Sequence, residues 1–452
     1  MNLKIQLCSK TFNMQNGMNI FRCLLFVFLI FLFGCKSATH RKASSPKGAS
    51  RQLATASTEK LYLLLISLDG YRYDYTERFH PPNLSRFISE GVQSKSLIPC
   101  FPSKTFPNHY SIATGMRPEN HLLVDNTFYD RKKEKMYRIS DRSVVEDGSW
   151  YGGSPIWVQA SKAGIVTASY FFVGSEADIQ GIRPDYYYPY DGSVPNEERV
   201  RQVLEWLELP EDRRPRMITM YFSDMDDVGH RFGPNNDEKL KGRLFELDKV
   251  LGKLFAGVES SGLPVNIIIV SDHGMTEVRA KHLLNIDLVR DGQRYITANN
   301  GALVHLYLKR GVDPSVVYDE LSAKKKHFEV YLTKDSPFYA TNRNNPRLGE
   351  LLVVPEFGYY FSSAKSIEKR KAAGQKVLGE HGFSPEHKDL HGIFYARGPA
   401  LKKGLTIESF ENIHIYPLLC EILGLSIPEE VDGDAKVLES ILLKKQKKRV
   451  RK

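Results

Sequence analysis

Leu61-Tyr62-Leu63-Leu64-Leu65-Ile66-Ser67-Leu68-Asp69-Gly70 is an almost wholly apolar run that stops at an aspartate and a glycine. A short unbroken apolar run suits a strand covered on both faces, as in a parallel sheet. Met217–Phe222, Asn266–Val270 and Ile393–Ala396 read the same way. Helical spacing separates them. Val200–Leu207 is apolar at 200, 203, 204 and 207, and Leu240–Phe255 at 244, 247, 250, 251, 254 and 255. This alternation predicts an α/β fold with a mostly parallel central sheet flanked by helices.

Three of these strands run straight into polar groups. The first ends in Asp69-Gly70, the second leads to Asp224, Asp226, Asp227 and His230, and the third to Ser271-Asp272-His273-Gly274. In open α/β sheets ligands bind beyond the carboxyl ends of the strands, so one edge should collect Asp and His from three strands. Residues 276–375 differ. Ile296–Tyr307, Phe328–Leu332 and Glu350–Phe361 alternate like antiparallel strands, predicting an inserted cap.

The 452 residues are 42% hydrophobic and 26% charged, enough for a large core with an insertion. Arg22 precedes an uncharged run, Cys23 to Phe33, too short for a comfortable bilayer span but suited to a signal-peptide core. Leu32-Phe33-Gly34-Cys35 resembles the lipobox of bacterial lipoproteins, although a small residue is usual where Phe33 stands. Cys35 is then the lipidated residue of an exported, membrane-anchored protein, and Met14 and Met18 are alternative starts. Residues 36–60 read as a flexible tether. The net charge of +10 is local, because Lys444–Lys452 carries seven basic residues and leaves about +3 for the rest. No nucleic-acid-binding motif accompanies it. Past the signal only Cys35, Cys100 and Cys420 remain, which excludes a disulfide scaffold and any CxxC metal site. The predicted division is a signal peptide (1–34), lipidated Cys and tether (35–60), catalytic core (61–275 and 376–438), inserted cap (276–375) and basic tail (439–452).

Asp and His without thiolates favour zinc or a related metal with mixed N and O donors. The candidates are Asp69, Asp226 with His230, Asp272 with His273, His381 and His391. Two metal ions close together can clamp the attacking and leaving oxygens of an in-line displacement. The candidate nucleophile lies in Phe101-Pro102-Ser103-Lys104-Thr105-Phe106-Pro107-Asn108-His109-Tyr110. A helix from about residue 108 to 114 would set Thr105 near an anion-favouring N-terminus. Read locally, Thr105 could equally be a helix cap.

The chain resembles the nucleotide pyrophosphatase/phosphodiesterase family of the alkaline phosphatase superfamily. The motifs are Ser67-Leu68-Asp69-Gly70-Tyr71-Arg72, Lys104-Thr105-Phe106-Pro107-Asn108-His109-Tyr110, Thr114-Gly115, Asp125-Asn126, Asp226 with Gly229-His230 and Gly233-Pro234, Ser271-Asp272-His273-Gly274-Met275 and His381-Gly382. They extend from about 61 to 434. The resemblance implies an alkaline-phosphatase-like core and two Zn2+. One zinc would be held by Asp69, Thr105, Asp272 and His273, the other by Asp226, His230 and His381. Thr105 would attack phosphorus and form a covalent intermediate. Asn126 and the Thr105 backbone N–H would stabilise the phosphate oxygen charge. The family's Gly-x-His-Gly pattern fits Gly379-Glu380-His381-Gly382 and selects His381 over His391. Phe106 and Tyr190 would stack on a nucleotide base. This chain has Phe172-Val173-Gly174-Ser175 where the family often has Trp-Pro-Gly-Ser, and Met225-Asp226 where Pro-Asp is usual.

Three other readings compete. Cys100-Phe101-Pro102-Ser103-Lys104 resembles the sulfatase signal for conversion of Cys to formylglycine, but Lys104 replaces its Arg. A phosphomonoesterase would share the metals. A catalytically dead binding lipoprotein would require a lost ligand or nucleophile, and none of the seven positions is lost.

Overall fold

The computed structural model describes residues 60–443. The predicted signal peptide, Cys35, the predicted tether up to residue 59 and residues 444–452 of the predicted basic tail lie outside them. An eight-stranded sheet forms the centre, in the order Leu405–Ile407, Val92–Ser94, Phe394–Arg397, Val265–Val270, Tyr62–Leu68, Met217–Phe222, Thr167–Tyr170 and Tyr186–Tyr188. Tyr62–Leu68 lies between Met217–Phe222 and Val265–Val270, parallel to both. The expected α/β class holds, with one correction. Phe394–Arg397 runs antiparallel to both neighbours. A buried strand is apolar whichever way it points, so composition carried no sign of its direction.

Alternate residues of the central strand face two cores. Leu63 and Leu65 pack with Tyr110, Ile112, Trp157 and the helix Ile415–Leu423. Leu64, Ile66 and Leu68 pack with Phe87, Val203 and the long helix Asp237–Ser260. Covering both faces explains the unbroken apolar strand. The predicted helical stripes lie within Asn196–Glu208 and Asp237–Ser260.

The inserted segment leaves along Thr276–Arg279 and returns along Val377–Glu380, which pair antiparallel. Between them is a four-stranded antiparallel sheet, ordered Tyr295–Asn299, Val304–Leu308, Leu351–Pro355, Phe328–Leu332. Glu350–Phe361 is thus divided. Its second part, Tyr360–Ser362, pairs parallel with Leu283–Asn285 instead. One face of the inserted sheet buries Val304, Leu306 and Val353 in a cluster with Val317. The other adds Ala298, Tyr307 and Leu352 to the main core. Within the segment expected as basic tail, Ile441 is buried in the main core and Leu442 packs against it and bridges to Leu401. Cys100 and Cys420 are both free and buried.

Candidate active site

Three neighbouring strand ends supply the site. Asp69 follows Tyr62–Leu68 directly, and Asp272 and His273 follow Val265–Val270. Beyond Met217–Phe222 the helix Asp224–Phe232 places Asp226 and His230 one turn apart on one face. His381 follows the return strand Val377–Glu380. Thr105 opens the helix Thr105–Thr114, earlier than the predicted start, with Lys104 as the cap residue.

These groups form two abutting sets. His273 Nε2 lies 3.0 Å from Asp272 Oδ2, 3.5 Å from Asp69 Oδ1 and 3.3 Å from Thr105 Oγ1. Asp226 Oδ1 lies 3.3 Å from His230 Nε2 and 3.8 Å from His381 Nε2. The rings of His273 and His381 stack at 3.6 Å and join the sets. All seven predicted metal-site residues thus converge. His391 is elsewhere, bonded through Nδ1 to Ser96 Oγ (2.8 Å) and through Nε2 to the Pro385 carbonyl (2.7 Å).

The donor chemistry fits a metal. Asp69 Oδ1, Asp226 Oδ1 and Asp272 Oδ2 are buried without a hydrogen-bond partner, which is costly unless a cation compensates. The three imidazoles point Nδ1 at backbone carbonyls: His230 at Gly379 (2.7 Å), His273 at Gly274 (2.8 Å) and His381 at Ser103 (2.9 Å). A carbonyl only accepts, so Nδ1 carries the hydrogen and Nε2 keeps its lone pair for a metal. Burial, and then the charges of Asp272 and Asp226, hold the Asp69 carboxyl well above its ordinary range. Burial also raises Asp272, but His273 and His109 beside it outweigh that and hold it well below. Crowded, buried carboxylates of this kind demand positive charge.

Asn126 sits beside the start of the Thr105 helix. Its Oδ1 accepts the Phe106 N–H at 3.0 Å, which leaves the NH2 group as a donor. A cavity of about 260 Å³ is lined by Asp69, Thr105, Phe106, Phe171, Tyr190 and Asp226, among others. It joins the metal-donor groups to both predicted stacking aromatics. Tyr190 is 44% exposed and stands edge-on to Phe171, with centroids 5.3 Å apart. A larger cavity, about 820 Å³, is lined by Leu61, Leu418 and Leu442 and holds none of the metal-donor residues.

Sequence reasoning missed two supporting residues. His109 Nδ1 faces the Thr105 carbonyl at 2.9 Å, and its Nε2 faces Ser67 Oγ at 2.7 Å. Its place one helical turn after Thr105 was the available signal. Tyr221 donates to Asp69 Oδ2 at 2.6 Å. It offered no signal, reading only as one residue of an apolar strand.

Asp/His donor sets at the carboxyl edge of an α/β sheet, with a hydroxyl at a helix start between them, define a metal-centre protein of the alkaline-phosphatase type. Comparison with known proteins narrows this. Residues 63–423 match the family model of type I phosphodiesterase / nucleotide pyrophosphatase, and the chain belongs to that family. It is 32% identical over 422 residues to venom phosphodiesterase CdcPDE of Crotalus durissus collilineatus, covering 90% of this chain and 50% of that protein. It is 35% identical over 396 residues to mouse ectonucleotide pyrophosphatase/phosphodiesterase family member 1, covering 84% of this chain and 42% of that protein. The chain thus spans about half the length of the curated relatives it matches. Murine ectonucleotide pyrophosphatase/phosphodiesterase 5 superposes with a TM-score of 0.78 at 28% identity, over 84% of this chain and all (100%) of that one. An inactive threonine-to-alanine variant of that murine protein has been solved in complex with AMP, with a TM-score of 0.78 at 28% identity over 85% of this chain and 100% of that one.

Proposed function

We propose that this chain is a two-zinc phosphodiesterase that cleaves phosphodiester or phosphoanhydride bonds of nucleotides and releases nucleoside 5'-monophosphate through a covalent Thr105 intermediate. The observation that carries this is the Thr105 hydroxyl, 3.3 Å from His273 Nε2, in a cavity that also holds Asp69, Asp226, Phe106 and Tyr190. The AMP complex of the inactive murine relative supports the nucleotide and the threonine.

Asp69, Thr105, Asp272 and His273 would hold one zinc, and Asp226, His230 and His381 the other. Bound zinc would supply the positive charge that makes the Thr105 hydroxyl acidic and neutralises phosphate oxygens. Thr105 Oγ forms a bond to phosphorus as the bond from phosphorus to the leaving oxygen breaks. Water then breaks the Oγ–P bond, regenerating Thr105 and releasing the monophosphate. The Asn126 NH2 group and the Thr105 backbone N–H, unpaired within its helix as first helical residues are, stabilise the growing charge on a nonbridging oxygen. Phe106 and Tyr190 hold the base.

The test is turnover by zinc-loaded protein of the thymidine 5'-nitrophenyl ester against the simple nitrophenyl monoester. Faster diester turnover, with nucleoside monophosphate as product and a loss of about 10³-fold or more in Thr105→Ala, is expected. Faster monoester turnover would refute the assignment. We also propose export and lipid anchoring through Cys35, read from its lipobox-like setting. Labelled palmitate should enter the wild-type chain and not Cys35→Ala; equal labelling of both would exclude that anchor.

A further inference from the structure

Asn126 is held in place from the inserted sheet. Asp125, the preceding residue, has a fully buried side chain with a task for each oxygen. Its Oδ1 accepts the Asn126 N–H at 2.7 Å, and its Oδ2 faces His305 Nε2 at 3.0 Å. His305 lies on Val304–Leu308, the second strand of the inserted sheet, and its side chain is also fully buried. Its Nδ1 lies 2.9 Å from the Leu348 carbonyl. That carbonyl can only accept, so Nδ1 carries hydrogen. At Nε2 the imidazole meets a carboxyl oxygen, and one further proton joins the two.

The links form a continuous path. It starts at the Leu348 carbonyl and passes through His305 and Asp125 to Asn126. From Asn126 Oδ1 it continues to the N–H of Phe106, the residue after the nucleophile. Its two middle members are 180 positions apart in sequence. A displacement of about 1 Å in a group aimed at the reacting centre can cost about 10²-fold in rate.

We propose that His305 is a positioning residue. It acts through Asp125 to aim the Asn126 carboxamide at the phosphate, which makes the inserted sheet part of the catalytic apparatus. The inference rests on the role given to Asn126 above.

A double-mutant cycle tests it, with kcat and KM measured on the thymidine 5'-nitrophenyl ester for zinc-loaded wild type, His305→Gln, Asn126→Ala and the double variant. Asn126→Ala should lower kcat about 10²-fold. His305→Gln should lower kcat about 10-fold, with KM within about 2-fold and zinc content unchanged. The double variant should be no slower than Asn126→Ala alone, because the path has nothing left to aim. Losses that multiply in the double variant, or a His305→Gln effect confined to melting temperature, would overturn the inference. Should His305→Gln fail to fold, Asp125→Ala takes its place in the cycle with the same expectations. If Asn126→Ala leaves kcat unchanged, the role of Asn126 and the inference fall together. If Asn126→Ala slows the enzyme but the losses multiply, only the inference falls.

Discussion

His381 donates from Nδ1 to the carbonyl of Ser103 across 2.9 Å, which fastens the return limb of the insertion to the loop that presents Thr105. Ser103 answers twice. Its Oγ donates to the Phe383 carbonyl at 2.9 Å and accepts the Gly382 N–H at 3.0 Å. One imidazole therefore offers Nε2 to the metal-donor set and steadies the loop before Thr105 with Nδ1. His381→Ala should lose about one of two bound zinc ions and about 10³-fold in kcat. Metal analysis alongside turnover checks this, and full zinc occupancy in the variant would remove His381 from the ligand set.

His391 provides the contrast. From composition it rivalled His381, yet both its ring nitrogens are engaged by Ser96 and Pro385 away from the cavity. His391→Ala should keep both zinc ions and wild-type kcat. It should lose about 1–2 kcal/mol of stability through its two hydrogen bonds, visible as a lower denaturant midpoint. A loss of zinc would reverse the choice between the two histidines.

Legibility in the sequence followed the range of the interaction. Asp69, Asp272 and His273 could be placed because each sits within a few residues of an apolar strand that announces itself. Asp226 and His230 could be paired because helical spacing is local. His381 needed the family pattern, since nothing near it distinguishes it from His391. The reversed direction of Phe394–Arg397 was hidden because burial on both faces erases alternation. His305 was hidden for another reason. It lies in an apolar strand far from Asp125 in sequence, and only the packing of the inserted sheet on the main core brings the two together.

Cys100 can be judged against the sulfatase-like reading of its surroundings. Its thiol is buried and bonded to Asn412 Oδ1 at 3.3 Å, and burial pushes it up to about 12. A thiol so placed neither ionises at neutral pH nor lines the cavity that holds Thr105. Cys100→Ala should retain diester turnover within about 2-fold, with stability lowered by about 1–2 kcal/mol. Folded but inactive protein would revive the sulfatase-like assignment.

Tyr190 bears on base recognition. It is half exposed and sits edge-on to Phe171 and Tyr221, whose centroids are 5.3 and 6.1 Å away. Stacking of one base on an aromatic ring contributes about 1–3 kcal/mol. Tyr190→Ala should therefore raise KM for the thymidine ester about 10-fold or more while leaving KM for bis-nitrophenyl phosphate nearly unchanged. Equal changes for both substrates would place Tyr190 outside base recognition.

His121, which packs against the helix that Thr105 opens, makes the protein sensitive to acid without being one of the metal-donor groups. Its side chain is wholly buried between Ser111 Oγ, 3.0 Å from Nε2, and the Leu123 N–H, 3.2 Å from Nδ1. Nδ1 accepts from that N–H, so the ring is neutral. Burial pulls the imidazole from 6.5 down to about 3, only partly opposed by the Pro107 carbonyl. An unfolded chain takes up the proton near 6.5 and the folded one does not until about 3. Between those values the unfolded state binds more protons, so stability falls as pH falls. The contribution is level above about 6.5 and amounts to roughly 2 kcal/mol of loss by about pH 5. Acid protonation of the metal-donor histidines would add its own slope, so wild type and His121→Gln should be compared, both freed of metal, by urea unfolding at pH 7.5 and 5. The variant begins less stable because it loses the fit to Ser111 and Leu123, yet its stability should change less with pH. Parallel pH dependence in the two proteins would show that His121 does not carry the acid sensitivity.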